Sequence, residues 1–364
     1  MMKITKNTFA VSFILVVLGL FVLSAGFATA QDKQIKVAFI YVGPVGDAGW
    51  SYAHDQGRLY LEKTLPYVKT SYVESVPEGA DAERVMTQFA RDGYQIIFAT
   101  SFGYMDAAVR VSQKFPAVHF EHCSGYKTGS NLATYFGRMY EPRYLTGIVA
   151  GRMTKSGWIG YVAAHPIPEV VRGINAFARG VRSVNPAARV KVVWTNTWYD
   201  PASEKEAAKA LLDAGCDVIA QHQDSPAPMQ AAEERGKFAI SYNSPMSKFA
   251  PKAVLTGPVW NWGPYYVKRV QAVREGTWKP GSYWGSMSDG IVDLAPFSKA
   301  VPKSIVNLVV EKKQAIMRGK LYPFAGPIRD QKGKTVVPTG KMMTDAEMLS
   351  FNWFVEGVEG TLPH

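Results

Sequence analysis

The sequence predicts an α/β protein of two doubly wound parallel-sheet lobes joined by a hinge, with a cleft between them. Three observations predict it. Strand-like apolar runs alternate with amphipathic helical runs along most of the 364 residues, the pattern of parallel sheets built from right-handed crossovers. The alternation then repeats in a second half, so the chain builds two such sheets. The short strands "QIIFAT" and "DVIAQ" have uncharged interiors, as expected of strands covered on both faces.

The chain opens with Lys3 and Lys6, an almost uncharged run from Phe9 to Phe27, and Ala28-Thr29-Ala30. Basic, apolar and small residues in that order mark a secretory signal peptide over residues 1–30, with Gln31 first after cleavage. The run approaches bilayer thickness, so an uncleaved anchor competes, and the Ala-x-Ala end favours cleavage. No cysteine stands nearby to take a lipid, and the expected location is the periplasm. About 330 residues remain, enough for two domains with real cores.

The first strand–loop–helix unit is "IKVAFIYVGPVGDAGWSYAHDQGRLYLEKTLP", and "GWIGYVAAHPIPEVVRGINAFARGVRSVNP" repeats it. "TSYVESVPEGADAERVMTQFARDGYQIIFATS" and "VKVVWTNTWYDPASEKEAAKALLDAGCDVIAQHQ" match as strand, polar loop, helix and short buried strand. A third pair is "YMDAAVRVSQKFPAVHFEHCSG" against "PAPMQAAEERGKFAISYNSP". Asp200 before Pro201 reads as an N-cap with proline at the first helical position, and Ser203 with Glu206 offers a competing capping box. Gly93 and Gly215 stand where helix-ending glycines belong. Beyond about residue 255 the pattern gives a strand, an aromatic loop, a helix, the strand "GIVDLAPFS", another helix and a last helix in the tail. Crossings near 140, 257, 283 and 322 assign 31–140, about 258–282 and 322–364 to the first lobe. They assign about 141–257 and 283–321 to the second. No low-complexity linker occurs, so the connections are short hinges.

The formal charge is +11, but the basic residues are scattered, which argues against nucleic acid as a partner. Cys123 and Cys216, the two cysteines, follow or begin strands in different halves and are expected as free thiols.

Ligands of doubly wound sheets bind beyond the carboxyl ends of the strands. That rule selects loops around 43–52, 75–81, 100–106, 121–126, 164–169, 195–201, 221–228, 242–246 and 256–262. Several end in aromatics, Trp50, Phe102, Trp198, Tyr199, Tyr242, Trp260 and Trp262 among them, and flat rings lining a cleft suit a flat, stacked ligand. Asp47, Ser51, Ser101, Asp224 and Asn243 are the candidate polar contacts to a heterocycle, although each residue type is also a common cap or turn former. Trp50 serves equally well as a lid on its own sheet.

"GPVGDAG" lacks the G-x-G-x-x-G spacing, and no phosphate loop or nucleophile elbow occurs. "HFEHC" contains His119, Glu121, His122 and Cys123, but a strand end sends alternate residues to opposite faces, so the four do not converge on a metal. His165 and Glu169 in "HPIPE" have a similarly weak claim. No catalytic group, metal or cofactor is expected.

The stretches "KVAFIYVGPVGDAGWSYAHDQG", "IIFATSFGYMDAA", "YLTGIVAGRM", "IPEVVRGINAFARGVRSVNP" and "WYDPASEKEAAKALLDAGCDVI" resemble the basic membrane protein family of substrate-binding proteins. The resemblance covers nearly the whole chain after the leader. It implies a type I periplasmic-binding fold that delivers purine nucleosides or related compounds to an ABC importer, with an inner-membrane ABC permease as partner; the chain itself is expected to be a monomer. It also implies that Trp50 and Trp198 are the two walls of a stacking slot. Family members that hold ribose do so with an aspartate and a lysine. The nearest positions here are Asn243 and Trp260, which implies a free base such as adenine, its edge read by Asp224 or Asn243. The rival expectations are an exported enzyme acting on nucleosides or other small heterocycles, with Asp47, Asp224 or His222 as acid or base, and a ligand-sensing partner of a signalling receptor.

Overall fold

The computed structural model describes residues 34–46 and 48–363. The expected leader and Asp47 lie outside the described residues.

The first sheet takes β1 (Ile35–Ile40), β2 (Val68–Val73), β3 (Ile96–Ala99), β4 (His119–Cys123), β5 (Leu132–Gly137) and, from much later in the chain, β12 (Ser282–Gly285). Their order is β12-β5-β4-β3-β1-β2, every pairing parallel. The second sheet takes β6 (Trp158–Ala163), β7 (Arg189–Trp194), β8 (Val218–His222), β9 (Phe238–Ile240), β10 (Val254–Thr256) and β16 (Val358–Glu359). Its order is β10-β9-β8-β6-β7-β16, again parallel. The helices between strands are α1 (Trp50–Thr64), α2 (Ala80–Arg91), α3 (Met105–Lys114), α4 (Tyr140–Met153), α5 (Pro168–Val184), α6 (Pro201–Asp213) and α7 (Ala227–Glu234). They are followed by α8 (Gly263–Arg274), α9 (Lys303–Met317) and α10 (Asp345–Leu349). Short pairs join β11 (Pro258–Trp260) to β13 (Val292–Leu294) and β14 (Ile328–Arg329) to β15 (Thr335–Val337).

In each sheet the opening strand lies between its two successors, β1 between β2 and β3, and β6 between β7 and β8. The connections from these strands therefore leave in opposite directions and open a crevice at the carboxyl ends. Both sheets present that crevice to the same cleft.

Local chemistry fixes the helices around it. The Asp200 carboxylate accepts from the N–H groups of Ala202 and Ser203 ahead of α6. The competing box does not form: Ser203 donates its hydroxyl to Asp200 at 2.6 Å and Glu206 pairs with Lys209. Asp200→Ala is expected to cost about 1 kcal/mol of stability, read as a lower denaturation midpoint with an unchanged slope. Helices α4 and α5 lie backbone to backbone, because a Cβ at Gly180 would stand 1.9 Å from the Tyr144 carbonyl oxygen.

The "HFEHC" residues divide their work. Glu121 is fully buried and accepts from Arg269, from the Tyr265 hydroxyl at 2.7 Å and from the Trp278 indole at 2.7 Å. These partners come from α8 and the segment after it, so the ion pair clamps that stretch beneath the first sheet. His122 donates its Nε2–H to the Ser101 carbonyl, 2.7 Å away, and burial lowers its pKa to about 4. Cys123 and Cys216 are buried free thiols.

The tail differs from expectation. Residues from 322 onward are expected with the first lobe, yet β16 pairs with β7. Arg172 of α5 donates to the Met348 carbonyl at 2.7 Å, and Asn175 donates to that of Trp353 at 2.8 Å. A two-residue strand leaves no periodic trace in sequence, which is why this pairing is not legible there.

Candidate functional site

A cavity lies between the sheets, lined by Val42, Trp50, Ser101, Phe102 and Ser124 from the first lobe. Glu169, Trp198, His222, Asp224 and Tyr242 line it from the second. Each residue stands at or beyond a strand's carboxyl end or in the first turn of the following helix.

The loop between β1 and α1 reaches across the cleft. A Cβ on Gly49 would stand 2.1 Å from the Asp224 carbonyl oxygen and 2.6 Å from its carbonyl carbon, so glycine is required by backbone-to-backbone contact. The Ser244 hydroxyl donates to the Ala48 carbonyl beside it. The loop is held from behind by the Gly43 N–H donating to Ser51 Oγ at 3.1 Å. Ser51 is therefore a brace of the loop and not part of the cavity wall.

Trp50 opens α1 at the end of that loop. Its indole N–H donates to the Thr100 carbonyl at 2.6 Å, and its ring packs perpendicular to Trp260 and Trp262 with centroids 5.5 and 5.8 Å away. Trp260 and Trp262 stack on each other at 4.4 Å. Trp260, expected at the ligand, thus backs Trp50 instead of lining the cavity. Trp198 of the other lobe lines the cavity and packs edge-on against His165 at 4.8 Å.

Asn243 is likewise turned away from the space. Its amide donates to Asp224 Oδ1 at 2.9 Å, and its carbonyl accepts the Trp260 indole N–H at 2.9 Å. It adopts φ 70°, a left-handed conformation that asparagine tolerates better than most residues. Asn243 thereby orients Asp224, which does line the cavity. Ser101 reaches the wall too, with its hydroxyl donating to Glu78 at 2.6 Å.

Four lining residues fall outside the set expected at a bound heterocycle, Val42, Ser124, Glu169 and His222, while Tyr242 is one of the expected cleft aromatics. All obey the strand-end rule, so the signal existed, but choosing among loop residues needs the direction of each side chain. Glu169 Oε1 lies 3.5 Å from His222 Nε2, and the Tyr242 hydroxyl lies 3.3 Å from the same nitrogen. Arg143, fully buried, places its guanidinium 3.8 Å above the Tyr242 ring and donates to the Gln221 carbonyl at 2.6 Å. Burial raises the Glu169 pKa to about 7, against the pull of Arg172, Arg143 and the Ser124 hydroxyl. Burial and the two arginines hold His222 well below the usual imidazole range, so it is neutral at physiological pH.

Residues 34–332 match the family model for Bmp, described as ABC transporter substrate-binding protein PnrA-like. The chain is 48% identical over 339 residues to a purine-binding protein of Brucella abortus, covering 93% of this chain and 97% of that one. It is 41% identical over 338 residues to a putative ABC transporter glucose-binding protein of Haloferax volcanii, covering 93% and 84%. A solved solute-binding protein of an ABC transporter system from Aeropyrum pernix superposes with a TM-score of 0.70 at 20% identity, over 80% of this chain and 94% of the other. That likeness is one of fold, the type I periplasmic-binding architecture.

Proposed function

The chain belongs to the Bmp family of PnrA-like ABC transporter substrate-binding proteins, and we propose that it is the periplasmic receptor of an importer for a purine base such as adenine. The observation that carries this reading is that Trp50 of one lobe and Trp198 of the other line one cavity between the lobes. A planar heterocycle between two indoles gains about 1–3 kcal/mol from each.

The base is preferred to the nucleoside because the Trp260 indole donates to Asn243, and the Asn243 amide in turn donates to Asp224. Neither is turned to a sugar hydroxyl. Binding shifts the lobes toward the closed form, which the permease partner then recognises, and no bond chemistry is required. The importer, the periplasmic location and the purine ligand are parts of one reading, supported by the name of the Brucella relative and by the cavity.

Mass spectrometry of small molecules released on denaturing undialysed protein, then calorimetric titration with purine bases, their nucleosides and glucose, tests it. Adenine or a related base is expected to be released and to bind more tightly than its nucleoside. Glucose binding with no purine heat overturns the ligand assignment. Trp198→Ala is expected to weaken purine binding about 5- to 150-fold, the equivalent of one stacking face. Its ligand-free melting should stay close to wild type, because Trp198 is only half-buried.

A further inference from the structure

Among the groups around the cavity, Glu169 is placed as no other is. It stands in the first turn of α5, and its carboxyl lines the cavity with a side chain 13% exposed. Ser124 of the first lobe faces it across the cleft. Of the other polar lining groups, Ser101 donates to Glu78, and Asp224 accepts from Asn243.

Charged and titratable groups face Glu169 from every side. They are Arg172 on its own helix, Arg143 on α4, His222 at the end of β8, Tyr242 after β9 and Cys123 at the end of β4. The arginines favour the carboxylate, while loss of water favours the acid. A ligand covering the remaining exposure removes more water and tips that balance further toward the acid.

We propose that Glu169 reads the hydrogen-bonding edge of the ligand as a neutral carboxylic acid, so that a purine presenting a donor beside an acceptor binds with uptake of one proton. This rests on the purine reading above. A neutral carboxyl offers an O–H donor next to a carbonyl acceptor, whereas a carboxylate only accepts. The 6-amino group of adenine beside a ring nitrogen complements the acid with two hydrogen bonds. Guanine presents two adjacent donors at N1 and the 2-amino group, and that edge complements the carboxylate. The protonation state of one side chain thus selects between the two classes of base, and the proton comes from solvent before the lobes close.

The free carboxyl titrates near neutrality, which sets the pH window. Below about pH 6 the acid is already formed, and adenine affinity should be flat. Above about pH 7 each molecule bound must first protonate Glu169, so affinity should fall about thirtyfold between pH 6 and pH 8.5. Guanine should show the opposite slope.

The test is titration calorimetry of the full chain with adenine and guanine at pH 6, 7 and 8.5. Repeating the pH 8.5 titration in two buffers of different ionisation enthalpy counts the protons. The expected result is close to one proton taken up per adenine at pH 8.5. Glu169→Gln, whose amide supplies a fixed donor beside a fixed acceptor that does not titrate, should abolish the pH dependence of adenine binding between pH 6 and 8.5. Adenine binding that is flat with pH in the wild type, with no proton taken up, overturns this inference and leaves the purine reading intact. Failure of every purine to bind at pH 6 overturns both. The proton count uses the wild-type protein, so a folding defect in the variant does not decide the matter.

Discussion

Gly49→Ala is expected to reduce ligand affinity by about 100-fold or more while leaving the ligand-free protein as stable as wild type. The added methyl would stand 2.1 Å from the Asp224 carbonyl oxygen, and the backbone atoms of Asp224 surround it within 2.6 Å. Backbone on both sides has no rotamer with which to give way. The relief available is to move the lobes apart, and that withdraws Trp198 and the other second-lobe residues from the ligand. Losing one stacked face and one or two hydrogen bonds amounts to about 3–4 kcal/mol. Nothing in the interior of either lobe is touched, so unfolding should be unaffected. Calorimetry and small-angle scattering with and without ligand read the two halves of the prediction. A variant that binds and contracts as the wild type does would show that the loop yields.

Trp50→Ala is expected to damage stability and binding together. The ring is 9% exposed, packs against His54, Phe136, Trp260 and Trp262, and donates its N–H to Thr100. Truncating a buried tryptophan costs about 3–5 kcal/mol, because the surrounding rings collapse only in part. The Thr100 carbonyl also loses its donor, a further cost while it stays buried. Denaturant unfolding measures the first loss, and titration at a temperature where the variant is folded measures the second, expected at about 1–3 kcal/mol. The contrast with Trp198→Ala is the informative part. One indole is built into its lobe and also faces the cavity, whereas the other is committed mainly to the cavity.

The unequal roles of the two tryptophans also show where sequence reading stops. Alternating strands and helices, the Asp200 cap and the strand-end rule were legible because each depends on neighbours within a few residues. Trp50, Trp198, Ser101, Phe102 and Asp224 reach the cavity wall for that reason. Asn243 and Trp260 do not, since their side chains bond to each other across a fold that local pattern does not describe. Glu169 was visible in "HPIPE", but its importance comes from burial by Ser124, His222 and two arginines drawn from other elements. The glycine at 49 was plain in the sequence, while the Asp224 backbone that requires it was not.

The interleaving of the chain has a consequence for how such a protein can be inherited. The two sheets place their opening strands alike, yet the first is finished by β12 at Ser282–Gly285, and buried Glu121 draws its cation, Arg269, from α8. A gene cut between the similar halves would therefore yield a first fragment with a bare strand edge and an unmatched buried charge. Recombination can exchange the cavity loops one at a time, but it cannot trade one lobe for another's.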